Sequence, residues 1–331
     1  MRKNSAARIL AFILFCGMSG QAFAADKLIV YTSMKELLIG RLSEAFVKAN
    51  PGTAMDYQSA GAGKLMAKIA AERESGKILA DVIWTSEVPD FYKMREDGIL
   101  EKYVPAAAKE ALNPFDDYDG SFTAARLGTL GIAYNTKLIK TAPTSWSDLT
   151  KPEYKGAFGI ANPALSGTSY MSVALLARQF GWEFFDKLYA NGAKIGKGSG
   201  QVIDDTASGD LAASLAVDYI TFDKISKGAP LALAYPKETL VVPSPIAIIK
   251  NSPNMTTAKK FLDFLLSKEA QTIGADEGTL PVRADVTVPA RYNIPAPADA
   301  MKRAMKVNYM EMIAAKEKNV KQFTDAMQGK K

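Results

Sequence analysis

The chain has 331 residues, with 41 Lys and Arg against 35 Asp and Glu, a formal charge of +6, one cysteine and no histidine. That composition excludes an intrachain disulfide, thiolate or imidazole zinc sites, and every histidine-assisted nucleophile. The basic residues are interspersed with acids and no Lys/Arg stripe carries interleaved aromatics, so the surplus is not a nucleic-acid footprint.

The first segment reads as a leader. Arg2 and Lys3 precede an apolar run at 9–18, and Gln21-Ala22-Phe23-Ala24 stands before Ala25-Asp26. A basic start, a short hydrophobic stretch and a small-x-small site predict a secretory signal peptide over 1–24, cleaved after Ala24. The apolar run falls short of the ~20 residues needed to cross a bilayer. Cys16 follows Phe15 rather than the small residue a lipoprotein site requires, and it would leave with the leader. Loss of Arg2, Lys3 and Arg8 takes the charge from +6 to +3. The remainder is long enough for two domains.

Residues 28–31 form a β-rich run ending at Thr32-Ser33. Leu38, Leu42, Ala45, Phe46 and Ala49 then share one face of a helix predicted over 37–49 and stopped by Pro51-Gly52. A strand at 53–57, a helix at 64–75 closed by Gly76, and a strand at 80–84 follow. This alternation predicts a mostly parallel sheet with helices on both faces. Each strand ends in hydroxyl or glycine residues: Thr32-Ser33, Ser59-Ala60-Gly61-Ala62-Gly63, and Thr85-Ser86. In open α/β sheets the carboxyl ends of strands form the ligand crevice, so three such ends in register predict a binding surface. Singly, each is equally a helix cap.

The middle repeats the scheme. Extended chain is expected at 122–134, a capped short helix at 146–149, a strand at 158–161, and a helix opened by Ser166-Gly167-Thr168-Ser169 and running to about Phe180. A helix at 184–189 follows, another starting at 205–208, and strands at 215–217, 231–235 and 241–249. The end reads as helix at 256–266, at 268–274 and continuously over 298–327.

Several stretches, taken in order, resemble the periplasmic solute-binding proteins of ABC importers, in the group that includes ferric-ion, phosphonate, sugar-phosphate and thiamine binders. They are Val30-Tyr31-Thr32-Ser33, Asp81-Val82-Ile83-Trp84-Thr85, Leu130-Gly131-Ile132-Ala133-Tyr134-Asn135, Asn162-Pro163-Ala164-Leu165-Ser166-Gly167-Thr168 and Val217-Asp218-Tyr219. Lys227 to Pro230, Tyr235 to Glu238 and Ala258 to Leu265 match as well. The resemblance implies a two-lobed α/β fold of the type II periplasmic binding class. Each lobe would be a mostly parallel sheet flanked by helices, joined by two hinge crossovers near 123–128 and 241–246. It implies a discontinuous first lobe (25–122 plus 247–331) and a second lobe at 123–246. It further implies a monomer in the periplasm that closes on a solute, delivers it to an inner-membrane permease, and catalyses nothing. No cofactor and no resident metal is expected.

For the solute, helix N-termini and hydroxyls suit a small oxyanion. Gly61 and Gly63 precede one helix and Ser166, Gly167 and Thr168 open another, with glycines allowing close backbone approach. Ser33, Ser59 and Thr85 add hydroxyls, while Arg126 is placed either to pair with the oxyanion or to tie the lobes together. Asp218 or Glu238 would accept from a ligand ammonium or hydroxyl, with Tyr219 or Trp84 as an apolar wall; Asp218 equally suits an internal salt bridge, and Glu238 a solvated turn. This points to a phosphorylated or phosphonate solute, aminoethylphosphonate first and sugar phosphate next. The alternative of a ferric-ion carrier would need Tyr219 to be joined by Tyr31, Tyr57 and Tyr235. A secreted enzyme acting on a small anion is the different-class alternative. There is no Gly-x-Ser-x-Gly elbow, and the pairs Asp116-Asp117 and Asp204-Asp205 are its only carboxylate signal.

Overall fold

The computed structural model describes residues 26–115 and 119–330; the expected leader with its cleavage after Ala24, Cys16, and Asp116-Asp117 lie outside the described residues. The chain runs β1 (Asp26–Thr32), α1 (Glu36–Ala49), β2 (Thr53–Ser59), α2 (Ala62–Glu74), β3 (Val82–Trp84), α3 (Val88–Glu96), β4 (Leu100–Glu101) and the long β5 (Thr123–Asn135). Then come β6 (Phe158–Ala161), α4 (Gly167–Phe180), α5 (Glu183–Ala190), β7 (Lys194–Gly196), α6 (Ser199–Ser208), β8 (Ala213–Val217), α7 (Asp218–Ser226), β9 (Leu231–Ala234) and β10 (Leu240–Ile249). It finishes with α8 (Met255–Leu265), α9 (Lys268–Asp276), α10 (Pro297–Arg303), α11 (Tyr309–Ala314) and α12 (Lys316–Ala326).

All ten strands join one sheet in the order β2-β1-β3-β10-β5-β8-β6-β7, with β4 added to β10 and β9 to β5. Its two flanks are parallel: β1 lies between β2 and β3, and β6 between β7 and β8. Each flank is a set of β-α-β units, which explains the runs of apolar residues in β3 and β8, buried throughout. β5 and β10 run antiparallel to each other through the centre. β10 pairs with β3 at 246–248, whereas β5 pairs with β8 at 130–134, so these two strands carry the chain between flanks. The β10 register slips between Ser244 and Pro245, where Pro243 and Pro245 supply no N–H to the ladder. A bulge there bends the sheet between its halves.

Helix α1 forms as its spacing predicts, burying Leu38, Ile39, Leu42 and Phe46 on one face, with Phe46 edge-on to Phe261 of α8 at 5.0 Å. Two expectations change. The helix expected to begin at 205–208 ends there as α6, closed by Gly209 in the left-handed conformation. The continuous helix expected over 298–327 is three short helices. It breaks at Ala304, which bridges to Thr239 beside β10 while the Met305 N–H donates to the Thr239 carbonyl, so tertiary pairing overrides a helical pattern.

The C-terminal helices join the two sides of the molecule. Phe323 of α12 meets Phe185 of α5 at 5.4 Å, and the Tyr170 hydroxyl of α4 donates to the Met312 carbonyl at 2.5 Å. At the start of α12, Lys316 donates to Asp90 at 2.6 Å and pairs with Glu87, both at the N-terminal end of α3. Burial, and secondarily the charge of Asp90, pushes the Glu87 carboxyl up to about 7; burial also raises Asp90. Burial opposes charge on Lys316, but the two carboxylates outweigh it and its pKa rises.

Because folded Glu87 holds its proton above the ordinary 4.5, the native state binds more protons than the unfolded state up to about pH 7. Its contribution to stability is therefore complete below 4.5 and is lost as pH rises through about 7. Glu87→Gln should flatten this part of the melting-temperature profile, and an unchanged slope across that window would show that Glu87 does not titrate there.

Candidate functional site

The N-termini of α1 and α2 on one wall face those of α4, α6 and α7 on the other across a cleft of about 380 Å3. Each helix follows a strand of the parallel flanks, so the topology brings five helix N-termini to one place. Their dipoles present positive potential, which favours an anion. The side chains add to it. Lys35, Lys64, Lys197 and Arg126 line the cleft, and among the described residues no Asp or Glu does. The three lysines make no ion pair among the described residues.

Close approach of the walls depends on glycine. A Cβ on Gly61 would lie 2.2 Å from the Leu165 carbonyl oxygen, and one on Gly63 would lie 2.3 Å from that of Ala164. A Cβ on Gly167 would sit 2.6 Å from the Cβ of Glu87. Only hydrogen fits at these points. The Tyr219 hydroxyl on α7 accepts from the Lys35 N–H at 2.9 Å, a hydrogen bond between the walls. Burial pushes the Tyr219 phenol up to about 12, so it is neutral and keeps its proton to donate.

Among the residues singled out in the sequence, Ser33, Ser59, Gly61, Arg126, Ser166, Gly167, Thr168 and Tyr219 line the cleft. The Oγ atoms of Ser166 and Ser199 and Oγ1 of Thr168 form a hydroxyl cluster with spacings of 3.1, 3.2 and 3.1 Å. Ser166 also caps α4, accepting from the Ser169 N–H at 3.4 Å, so its capping role is present too. Ser33 accepts from the Ser86 N–H at 3.1 Å, and Ser59 donates to the Met34 carbonyl at 2.7 Å.

Five singled-out residues sit elsewhere. Gly63 lies behind the lining and lets the Ala164 carbonyl approach. Trp84 is core, packed in a small space with Leu38, Leu42 and the far side of Arg126. Thr85 is fully buried, its N–H donating to the Pro245 carbonyl at 3.2 Å. Glu238 lies on a different surface beside Arg303, and its carbonyl accepts from Trp146 Nε1 at 3.0 Å.

Asp218 is the main correction. It is wholly buried, and both oxygens are taken by the protein. Oδ2 accepts from the Thr129 N–H at 2.8 Å and from the hydroxyls of Thr129 and Thr279, each at 3.1 Å. Oδ1 accepts from the Tyr219 N–H at 2.7 Å and faces Arg126 at 3.4 Å. The salt bridge weighed for it from the sequence is what forms, and no oxygen is left for a ligand amine. The tyrosines weighed as iron ligands also stand apart: Tyr31 donates to Glu72, Tyr57 to Glu36, and Tyr235 pairs with Thr129, leaving Tyr219 alone at the cleft.

Ser86, marked with Thr85 at the third strand end, does line the cleft, whereas sequence reasoning missed Lys35, Lys64, Lys197, Ser199 and Gln201. The signal for the last three was Gly196-Lys197-Gly198-Ser199-Gly200. The exposed edge strand β7, Lys-Ile-Gly, has too little apolar pattern to announce a strand end.

A sequence model of the family described as bacterial extracellular solute-binding protein matches residues 77–311. A protein of Salmonella paratyphi A, provisionally named a 2-aminoethylphosphonate-binding periplasmic protein, is 27% identical over 256 residues, covering 74% of each chain. The fructose-6-phosphate-bound periplasmic binding protein AfuA from Actinobacillus pleuropneumoniae superposes with a TM-score of 0.77 at 23% identity, covering 91% of this chain and 98% of that one. Iron-bound HitA from Pseudomonas aeruginosa gives the same 0.77 at 23% identity, covering 91% and 99%. The type II two-lobed fold follows from these superpositions. Equal likeness to a sugar-phosphate complex and an iron complex leaves the solute to the side chains. No helix among the described residues is long and apolar enough to cross a membrane.

Removing Asp218 would strand the buried Arg126 charge. Asp218→Ala is expected to cost about 3–5 kcal/mol of unfolding free energy. Urea denaturation with an unchanged m-value checks this, and a loss no larger than that of an ordinary surface substitution would remove the pair from its structural role.

Proposed function

Since the chain belongs to the bacterial extracellular solute-binding protein family, we propose that it is the periplasmic binding component of an ABC importer and captures a small phosphorylated or phosphonate solute between its lobes. The observation that carries this reading is the cleft itself: five helix N-termini, three lysines and an arginine, with no carboxylate among the described lining residues. A phosphoryl dianion takes hydrogen bonds from helix N–H groups and hydroxyls together, and charge-assisted bonds from Arg and Lys.

In this reading the leader over 1–24 directs export. The first lobe comprises 25–122 plus 247–331, and the second 123–246. β5 and β10 act as the hinge, and closure of a monomer around solute presents both lobes to an inner-membrane permease. The solute is released unchanged to the permease. Ser33, Ser59, Gly61, Arg126, Ser166, Gly167, Thr168 and Tyr219 hold the solute, joined by Lys35, Lys64, Lys197 and Ser199. The hydroxyl cluster at the α4 and α6 N-termini receives phosphoryl oxygens, and Arg126 supports them from the floor.

Calorimetric titration of the exported protein with phosphate monoesters, alkylphosphonates and ferric citrate tests the class, and saturable binding of iron alone would overturn it. Thr168→Val keeps the shape of the wall but removes one donor. Affinity for the bound phosphate or phosphonate should fall by about tenfold or more, roughly 1.4 kcal/mol, with melting of the free protein nearly unchanged. Unaltered affinity would take Thr168 out of the site.

A further inference from the structure

Resting on the phosphoryl reading above, we infer that this cleft selects a solute whose end remote from the phosphoryl group is acidic, and that it disfavours one bearing an ammonium there. An ammonium carries a full positive charge with three donors and no acceptor, so negative charge in the lining favours it and positive charge opposes it. This cleft offers the opposite. Its charged lining is Lys35, Lys64, Lys197 and Arg126. The two nearby buried carboxylates are engaged: Asp218 by Thr129, Thr279, Tyr219 and Arg126, and Glu87 by Lys316 behind Gly167. The Gln201 amide oxygen, also at the cleft, accepts from the Lys197 N–H at 2.7 Å.

The lysines are placed for a second negative group. Arg126 is 3% exposed on the cleft floor, whereas all three lysines are exposed at its rim. They come from both walls: Lys35 precedes α1, Lys64 lies in the first turn of α2, and Lys197 precedes α6. Lys35 reaches across, its Nζ lying 3.9 Å from where a Cβ on Gly200 would stand, beside the α6 N-terminus. A solute with its phosphoryl group at the floor and a carboxylate or second phosphate at the rim meets donors along its whole length. The cleft of about 380 Å3 falls within the range of sites for small organic ligands and exceeds what a two-carbon phosphonate fills. Specificity here comes from repulsion as much as attraction, since like charge in a closed site counts against the wrong solute.

The test compares three alkylphosphonates of similar length by calorimetry on the exported protein: carboxyethylphosphonate, propylphosphonate and aminoethylphosphonate. The carboxylate compound should bind about tenfold more tightly than the propyl compound, and the amine more weakly than both. Lys197→Gln should shrink the ratio of carboxyethylphosphonate to propylphosphonate affinity several-fold, and an unchanged ratio would count against the inference. Tighter binding of aminoethylphosphonate than of propylphosphonate overturns the inference and leaves the phosphoryl reading intact. Binding by none of the three overturns the phosphoryl reading, and the inference with it.

Discussion

The floor of the cleft depends on one buried ion pair. Arg126 and Asp218 face each other at 3.4 Å with almost no exposure, a placement that is costly unless every remaining polar atom finds a partner. The partners are supplied. Arg126 Nε donates to Ser244 at 3.1 Å and Nη1 to Thr279 at 2.7 Å, and the guanidinium lies 4.9 Å from the Tyr219 ring centre. Ser244 continues to Ser86 at 2.9 Å, and Ser86 to Ser33. A single polar network thus runs from the end of β1, beneath the cleft, through both central strands to the start of α7. Such a network specifies one arrangement because any partial version leaves a buried charge or hydroxyl unpaired.

That network places positive groups without neutralising them at the cleft. Asp218 stabilises Arg126 from the side away from the opening, while Tyr219, next in sequence, turns its hydroxyl to the Lys35 amide on the opposite wall. Adjacent residues at the start of α7 therefore have different duties, one holding the floor and the other joining the walls. Gly61, Gly63 and Gly167 complete the arrangement, because the walls meet backbone to backbone only where no Cβ intervenes.

The C-terminal helices supply a further connection besides β5 and β10. α12 packs on α5 through Phe323 and Phe185, yet its Lys316 reaches the carboxylates of α3. Glu87 thus stands between this ion-pair cluster and Gly167 at the mouth of α4, and its titration belongs to the same region in which the two walls touch.

Local sequence determined the repeated strand–helix units, because apolar periodicity and the Pro, Gly and hydroxyl punctuation that ends each element act over a few residues. It also marked Ser33, Ser59, Gly61 and the Ser166-Gly167-Thr168 turn, since strand ends in an α/β sheet open to one edge. Asp218 and Glu238 were beyond its reach. A carboxylate after an apolar strand has the same local signature whether it faces a solute or, as Asp218 does, a buried arginine 92 positions earlier. Lys35 and Lys197 look like ordinary surface charges until the two walls are brought together, and residues 298–327 look helical until Ala304 pairs beside β10. Sequence by itself determined the units and the edge at which a ligand would enter. Tertiary structure alone decided which charges face the opening and which are cancelled beneath it, because electrostatic partnership depends on distance in space and on burial, neither of which is encoded in local spacing.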